Sequence, residues 1–170
     1  MAEKSYAVTN GAAPGGAAPA TIATGTAIKT MIQLATNTTT PAIRFIEWWV
    51  EFDGATANTP IKVELLRHTG GPQTTLTAYV AGDIAKFSDP NAAASSIQLG
   101  TALSGYSNTT TEVTPTTAVS LETHLVPPTS GIYVQFPLGR EPEVQVSAFA
   151  RIRTTAGASV NCYAGLAWAE

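Results

Sequence analysis

Residues able to carry out chemistry are few in this sequence, and they are not spaced as a site. Histidine occurs twice, at His68 and His124, and cysteine once, at Cys162. Neither histidine belongs to an H-x-H or H-E-x-x-H pattern, and one cysteine can form neither a Cys-rich zinc site nor an intrachain disulfide. We therefore expect no metal site and no cofactor, and we expect Cys162 to be a small buried core residue.

The carboxylates and the serine and glycine motifs do not form a catalytic set either. Glu47 and Glu51 share one face of a predicted strand and lie about 13 Å apart along it, whereas the two carboxyls of a glycosidase lie about 5 to 9.5 Å apart. The sequence has no G-x-S-x-G nucleophile motif, and the glycines of residues 11–16 lack the Lys-Ser/Thr pair of a phosphate-binding loop. The sequence predicts a protein that is not an enzyme.

Residues suited to binding are more informative. Trp48 and Trp49 are adjacent in a predicted strand, so their side chains must point to opposite faces, and one of them is left outside the core. An exposed Trp can stack on a sugar ring, be buried by another subunit, or be covered by its own chain. Arg151 and Arg153 share a strand face with Phe149, which gives either a basic stripe for a partner's carboxylate or a solvated face. We therefore treat Trp49, Arg151 and Arg153 as candidate subunit-interface residues.

A period-two pattern predicts the elements that position these residues. From residue 27 onward, apolar and polar residues alternate between turn signals, with no competing helical periodicity. We expect Ile46 and Trp48 to face the core together, and likewise Ile28, Thr30 and Ile32. The expected fold is all-β, an antiparallel jelly-roll-like β-sandwich of about eight strands. The predicted strands span residues 27–34, 43–52, 61–65, 74–80, 119–125, 132–138, 148–154 and 159–168.

Two segments depart from this pattern. Residues 1–26 are rich in Ala, Gly and Pro and predict an extended N-terminal arm, which is either a disordered tail or a segment that orders on a neighbouring subunit. The β-sandwich domain then occupies residues 27–170. Residues 81–115 predict a long surface excursion, which is a second candidate contact surface.

Composition limits the class of partner. The chain has 170 residues, of which 12% are charged, and its net charge is −3. It has no basic excess to neutralise phosphates, so we expect neither nucleic acid nor a membrane as partner. The charged fraction is about half the usual share, which favours a surface partly covered by another protein. No apolar run has the length of a membrane span or the setting of a signal peptide, and we expect a soluble protein made in the cytoplasm.

Three stretches carry a family resemblance: IRFIEWWVEFDG at 43–54, PIKVELLR at 60–67 and YVQFPLGREPEV at 133–144. They resemble small structural proteins encoded by actinobacterial phages and prophages, and the similarity covers most of residues 27–170. The resemblance implies a capsid decoration (cement) protein of the virion, made in the host cytoplasm. Such a protein binds the major capsid protein on the outside of the head, stabilises the head, and is often a β-rich homotrimer. An extended arm fits this role, and its candidate capsid-contact residues are Tyr6, Val8, Pro14, Pro19 and Ile22.

Three other functions remain open at the level of sequence. A carbohydrate- or receptor-binding module of a phage tail or spike would use the exposed Trp on sugars. A tail-tube component would also be rich in strands, but it should assemble into rings or tubes by itself. An enzyme has the least support, because the sequence offers no convergent acid, base or nucleophile.

Overall fold

Two antiparallel sheets packed face to face form the body of the protein, which confirms the predicted all-β sandwich. The structure is a computed structural model, and it describes residues 3–11, 20–39, 42–55, 59–107 and 111–170. Within those ranges the only helical element is a 3-10 turn at Ala81–Asp83, and no helix is long and apolar enough to cross a membrane. The strands are β1 (Ser5–Thr9), β2 (Ile22–Ala23), β3 (Ile28–Ala35), β4 (Ile43–Phe52), β5 (Ile61–His68), β6 (Leu76–Ala78), β7 (Ala85–Lys86), β8 (Gly105–Ser107), β9 (Val119–Val126), β10 (Gly131–Gln135), β11 (Glu143–Val144), β12 (Phe149–Thr155) and β13 (Asn161–Ala169).

The edge strands of the two sheets lie next to each other along both sides of the sandwich. The front sheet has the order β10-β4-β13-β1-β7, with β11 beside β4 and β2 beside β13, and the back sheet has the order β6-β8-β3-β12-β5-β9. The chain passes from β9 to β10 at one margin and from β6 to β7 at the other. We call these the β9–β10 margin and the β6–β7 margin.

The core lies between the sheets and is filled by aromatic and branched side chains. Trp48 is fully buried there, whereas its neighbour Trp49 lies half-buried on the outer face, as predicted from their adjacency. Full burial of one large apolar side chain contributes about 1.5 to 3 kcal/mol. Other large side chains with at most 2% exposure are Trp168, Tyr6, Tyr79, Phe45, Met31, Ile32, Leu34, Ile43, Ile61 and Leu65.

All eight strands predicted from periodicity are present, but two bulges change which residues face the core. The pairing of β4 with β13 shifts between Ala167 and Trp168, which leaves Ile46 as an extra residue. Phe45 is therefore fully buried, and Ile46, expected inside, is only half-buried. A similar shift opposite β12 makes Met31 the extra residue of β3. Consequently Ile28 and Thr30 do not share the face of Ile32, because an inserted residue reverses the alternation.

Two described parts of the expected arm, Ser5–Thr9 and Ile22–Ala23, are strands of the front sheet, which corrects the prediction for these residues. β1 lies between β13 and β7 in the front sheet, and its Tyr6 and Val8 are 1% and 2% exposed. Asn10 extends this attachment, because its Nδ2 donates to Cys162 O at 3.0 Å and its Oδ1 accepts from Ala164 N at 2.6 Å. Tyr6 and Val8 are thus core residues of their own chain and are not free to contact a capsid. Ile22, half-buried in β2, also pairs with β13.

The other two arm residues, Pro14 and Pro19, lie outside the described residues, so their predicted capsid contact stays a prediction.

Candidate functional site

The predicted basic stripe is an internal brace, not an interface. Arg151 lies on the outer face of the back sheet, yet its side chain is 0% exposed. Its Nη1 donates to Glu112 Oε1 at 3.0 Å and to Val113 O at 2.9 Å, and its Nη2 donates to Gly71 O at 2.9 Å. The segment at Gly71 and the segment at Glu112 and Val113 are thereby held against the sheet. Because its side chain is fully enclosed by these contacts, Arg151 does not contact a subunit.

Arg153 belongs to the same network. Its Nε donates to Glu64 Oε2 at 2.9 Å, its Nη1 donates to Glu112 Oε2 at 3.3 Å, and its side chain is only 20% exposed. Burial raises the pKa of the Glu64 carboxyl, but hydrogen bonds from Arg153 and Lys62 outweigh that effect and hold the pKa below its usual value. The carboxylates expected from a partner therefore come from the same chain. Glu112 lies in an irregular stretch, so no sequence pattern pointed to it.

Amide and carboxyl groups hold the rest of the excursion in place. Gln33 Oε1 accepts from Gln73 N at 2.9 Å, and Gln33 Nε2 donates to Leu103 O at 2.9 Å. At the opposite end of the excursion, Glu170 accepts from Ser96 N at 2.8 Å and from Trp168 Nε1 at 2.9 Å. The described residues of this segment, 81–107 and 111–115, are thus a braced covering of the sandwich that includes β7 and β8.

His68 is buried and neutral. Its ring stacks on Phe149 with centroids 5.1 Å apart, its Nδ1 lies 2.9 Å from Gly70 O, and the residue is 1% exposed. Burial, with a smaller effect of the Arg151 charge, lowers the pKa of His68 to about 4. An unfolded histidine takes up a proton below about pH 6.5. The unfolded state therefore binds more protons between pH 6.5 and pH 4, and the folded protein loses stability as the pH falls through that window.

The remaining chemically capable groups are Cys162 and His124, of which the cysteine is fully buried and the histidine half-buried. Cys162 is fully buried in β13, and burial raises the pKa of its thiol far above the usual value, so the thiolate nucleophile is not formed. His124, on β9, lies 3.1 Å from Glu122 and 5.8 Å from the ring of the core residue Trp48. Among the described residues, no three His, Cys, Asp or Glu side chains are grouped to hold a metal ion.

An exposed line of aromatic side chains crosses the outer face of the front sheet. Tyr133 of β10 pairs directly with Trp49 of β4, and Trp49 pairs with Gly165 of β13, two residues from Tyr163. We call Tyr133, Trp49 and Tyr163 the aromatic strip. Tyr133 is 59% exposed, and the other two are half-buried. Sequence analysis singled out Trp49 but missed the two tyrosines, because cross-strand neighbours cannot be read from alternation alone.

The lack of a side chain at Gly165 allows the Trp49 indole to lie against the backbone of β13. A Cβ there would overlap the Trp49 indole, so the ring rests directly on the β13 backbone. Beside it, Ala7 and Ala167 also face outward, are nearly buried, and carry only small side chains. With exposures of 8% and 0%, these two alanines add little accessible surface to the strip.

Two carboxylates border the strip. Tyr133 Oη donates to Glu47 Oε2, which raises the pKa of the tyrosine, and this contact leaves Glu47 7% exposed. Glu51, two residues beyond Trp49, remains exposed. The strip can therefore offer stacking surfaces and carboxylate acceptors.

Comparison with family models, with curated proteins and with solved structures gives no significant match to this chain.

Proposed function

We propose that the protein is a non-catalytic capsid decoration (cement) protein, which binds the major capsid protein on the outside of a phage head and stabilises the head. One observation carries the proposal. Arg151 and Arg153 are engaged in internal contacts, while the aromatic strip, with Tyr133 59% exposed, lies on the outer face of the front sheet.

Rigidity supports this function. The braces through Arg151, Gln33 and Glu170 hold a long excursion against the sandwich at several points. Described loops that are braced in this way lose little conformational entropy when the protein docks, so more of the contact energy appears as affinity. A clamp that resists outward pressure on a shell also needs a body that does not deform under load.

The aromatic strip has the composition of a protein contact site. Trp and Tyr are enriched among the residues that dominate protein interfaces, where they anchor in pockets of the partner. We therefore assign the strip, including the candidate interface residue Trp49, to the contact with the shell.

The mechanism is adhesive. Each bound copy buries surface at a junction between capsid subunits, and a homotrimer multiplies the single contacts through effective concentration. Three modest contacts then dissociate far more slowly than one. The head becomes harder to disrupt although no covalent bond is made or broken.

Shell binding tests the proposal directly. The purified protein is mixed with empty shells of the same phage's major capsid protein, and co-sedimentation and shell melting temperature are measured. We expect saturable binding at micromolar concentration and a higher shell melting temperature. Loss of an anchor residue costs about 2 kcal/mol or more, so Trp49→Ser should weaken binding at least about 30-fold.

Leu125→Ser is the matched control, because Leu125 is a large apolar side chain with 71% exposure on β9, away from the strip. It should leave shell binding unchanged. The proposal is rejected if the wild-type protein does not co-sediment with the shells.

A carbohydrate-binding function is the second candidate, and the carboxylates beside the strip favour it. Aromatic rings stack on the apolar face of a sugar, and the exposed Glu51 next to Trp49 could accept hydrogen bonds from its hydroxyls. A glycan array with the purified protein separates the two functions. Binding of defined glycans that Trp49→Ser abolishes, without binding to shells, would favour the sugar-binding module.

A further inference from the structure

The most exposed large apolar side chain of the described residues projects from the β9–β10 margin. Leu138 is 91% exposed at the tip of the turn between β10 and β11. The turn is well defined, since Arg140 N donates to Pro137 O at 2.9 Å and Gly139 N donates to Glu141 Oε2 at 2.7 Å. Leu138 is therefore a fixed apolar projection, which we call the knob.

A cavity of suitable size opens at the opposite margin. It has a volume of about 410 Å³ and lies beside β7 and the 3-10 turn. Its apolar lining is contributed by Ala81, Ile84, Ala94 and Leu99. We call this cavity the hollow. It has room for a leucine side chain and part of a turn, and its lining has the chemistry that such a side chain prefers.

The knob and the hollow of one molecule cannot meet. They lie at opposite ends of the order β10-β4-β13-β1-β7, so four strand spacings, about 19 Å, separate the margins. Any contact between them must join two molecules. We infer that the knob of one copy inserts into the hollow of a second copy, in a head-to-tail interface.

Charge around the two features supports this pairing. The turn that carries the knob also carries Arg140 and Glu141, and the hollow has Lys86 in its lining and Asp83 in the adjacent 3-10 turn. Each side therefore offers one positive and one negative group to the other. Such complementary placement favours one orientation of the partner over others.

Two further large apolar side chains are exposed at the β6–β7 margin, as expected of a surface that a second copy covers. Val80 is 61% exposed and Phe87 is 55% exposed, both close in sequence to residues that line the hollow. Large apolar side chains gathered at one edge are unfavourable in water and mark a contact site. In the inferred interface these side chains surround the inserted knob.

This interface deepens the proposed function, because it supplies the contact that would build the homotrimer. A head-to-tail contact uses two different surfaces, so copies add in one direction until the ring closes. In a closed ring every knob and every hollow is occupied.

Complementation between two variants tests the inference in solution, without any shell. Leu138→Asp removes the knob, and Ala94→Trp fills the hollow at a position that is itself exposed. Light scattering after size-exclusion chromatography should show an oligomer for the wild type and a monomer for each variant. Because each variant keeps the surface that the other lacks, an equimolar mixture should form a one-to-one heterodimer.

Leu125→Asp is the matched control on the same margin, and it should keep the wild-type mass. Circular dichroism and melting temperature verify that each variant is folded. The inference is overturned if the wild type is monomeric at about 100 µM, because even an interface with a dissociation constant of about 100 µM would be partly associated at that concentration. It is also overturned if Leu138→Asp keeps the wild-type mass or if the mixture stays monomeric. None of these outcomes depends on shell binding, which is measured separately.

Discussion

Replacing Arg151 by methionine should destabilise the protein more than any other single charge removal on the back sheet. The variant keeps most of the side-chain volume but removes every hydrogen bond of the guanidinium. Glu112, whose side chain is 5% exposed, would lose its fully buried partner, and the carbonyls of Val113 and Gly71 would lose their donor. Breaking a buried ion pair in this way costs about 3 to 5 kcal/mol.

We take the lower end of that range, because Glu112 keeps two other contacts. Arg153 Nη1 lies 3.3 Å from Glu112 Oε2, and Thr30 Oγ1 lies 3.0 Å from Glu112 Oε1. A loss of about 3 kcal/mol should lower the melting temperature by about 6 to 12 °C in a domain of this size. With an m-value of about 2 kcal/mol/M, the urea midpoint should fall by about 1.5 M.

Urea unfolding followed by tryptophan fluorescence measures this change, and Arg153→Met is the matched control. Arg153 sits two residues away in the same network, but its side chain is 20% exposed, so its loss should cost about 1 kcal/mol. The double variant Arg151→Met with Glu112→Gln should regain part of the stability, because no lone carboxylate stays buried. Equal midpoints for Arg151→Met and Arg153→Met would refute the bracing role of Arg151.

Three further predictions concern other buried groups. Because His68 is neutral in the folded state, the free energy of unfolding, measured by urea titration at a series of pH values, should fall by about 3 kcal/mol from pH 6.5 to pH 4. His68→Asn should reduce this dependence of stability on pH, whereas His124→Gln should leave it in place. Gly165→Ala should displace the Trp49 indole, which shifts the fluorescence emission to the red and lowers the free energy of unfolding by about 1 to 3 kcal/mol. An unchanged emission spectrum and an unchanged urea midpoint would contradict the contact between the indole and β13. Cys162 should react with a thiol reagent only in denaturant, and rapid labelling of the native protein would show that the thiol is accessible.

Alternation in the sequence was sufficient to predict the sandwich. Each long strand has enough alternating residues to be recognised, and the adjacent pair Trp48 and Trp49 could be assigned to opposite faces from strand geometry alone. The short strands β2, β7, β8 and β11 were missed because two or three residues contain too little alternation to be recognised. β1 was missed for a different reason, since its small neighbours and the following Gly and Pro residues resemble a linker.

Contacts between distant parts of the chain could not be predicted in the same way. The bulges at Met31 and Ile46 are set by the register of neighbouring strands, which a single strand does not encode. The pairing of Arg151 with Glu112 spans 39 positions and joins a regular strand to an irregular segment. Sequence analysis therefore recognised the basic stripe but assigned its acidic partner to another molecule.

The distribution of charge connects the internal braces to the proposed assembly. The chain has nine Lys and Arg residues. Four of them, Arg44, Lys62, Arg151 and Arg153, form ion pairs within the chain. Few basic groups are then left to keep an isolated molecule dispersed in water. In the proposed ring on a shell this is a small cost, because the knob, the hollow and the aromatic strip would be covered by partners. The scarcity of charge also limits the number of ions that must lose their hydration when two molecules meet, which favours association through apolar contacts.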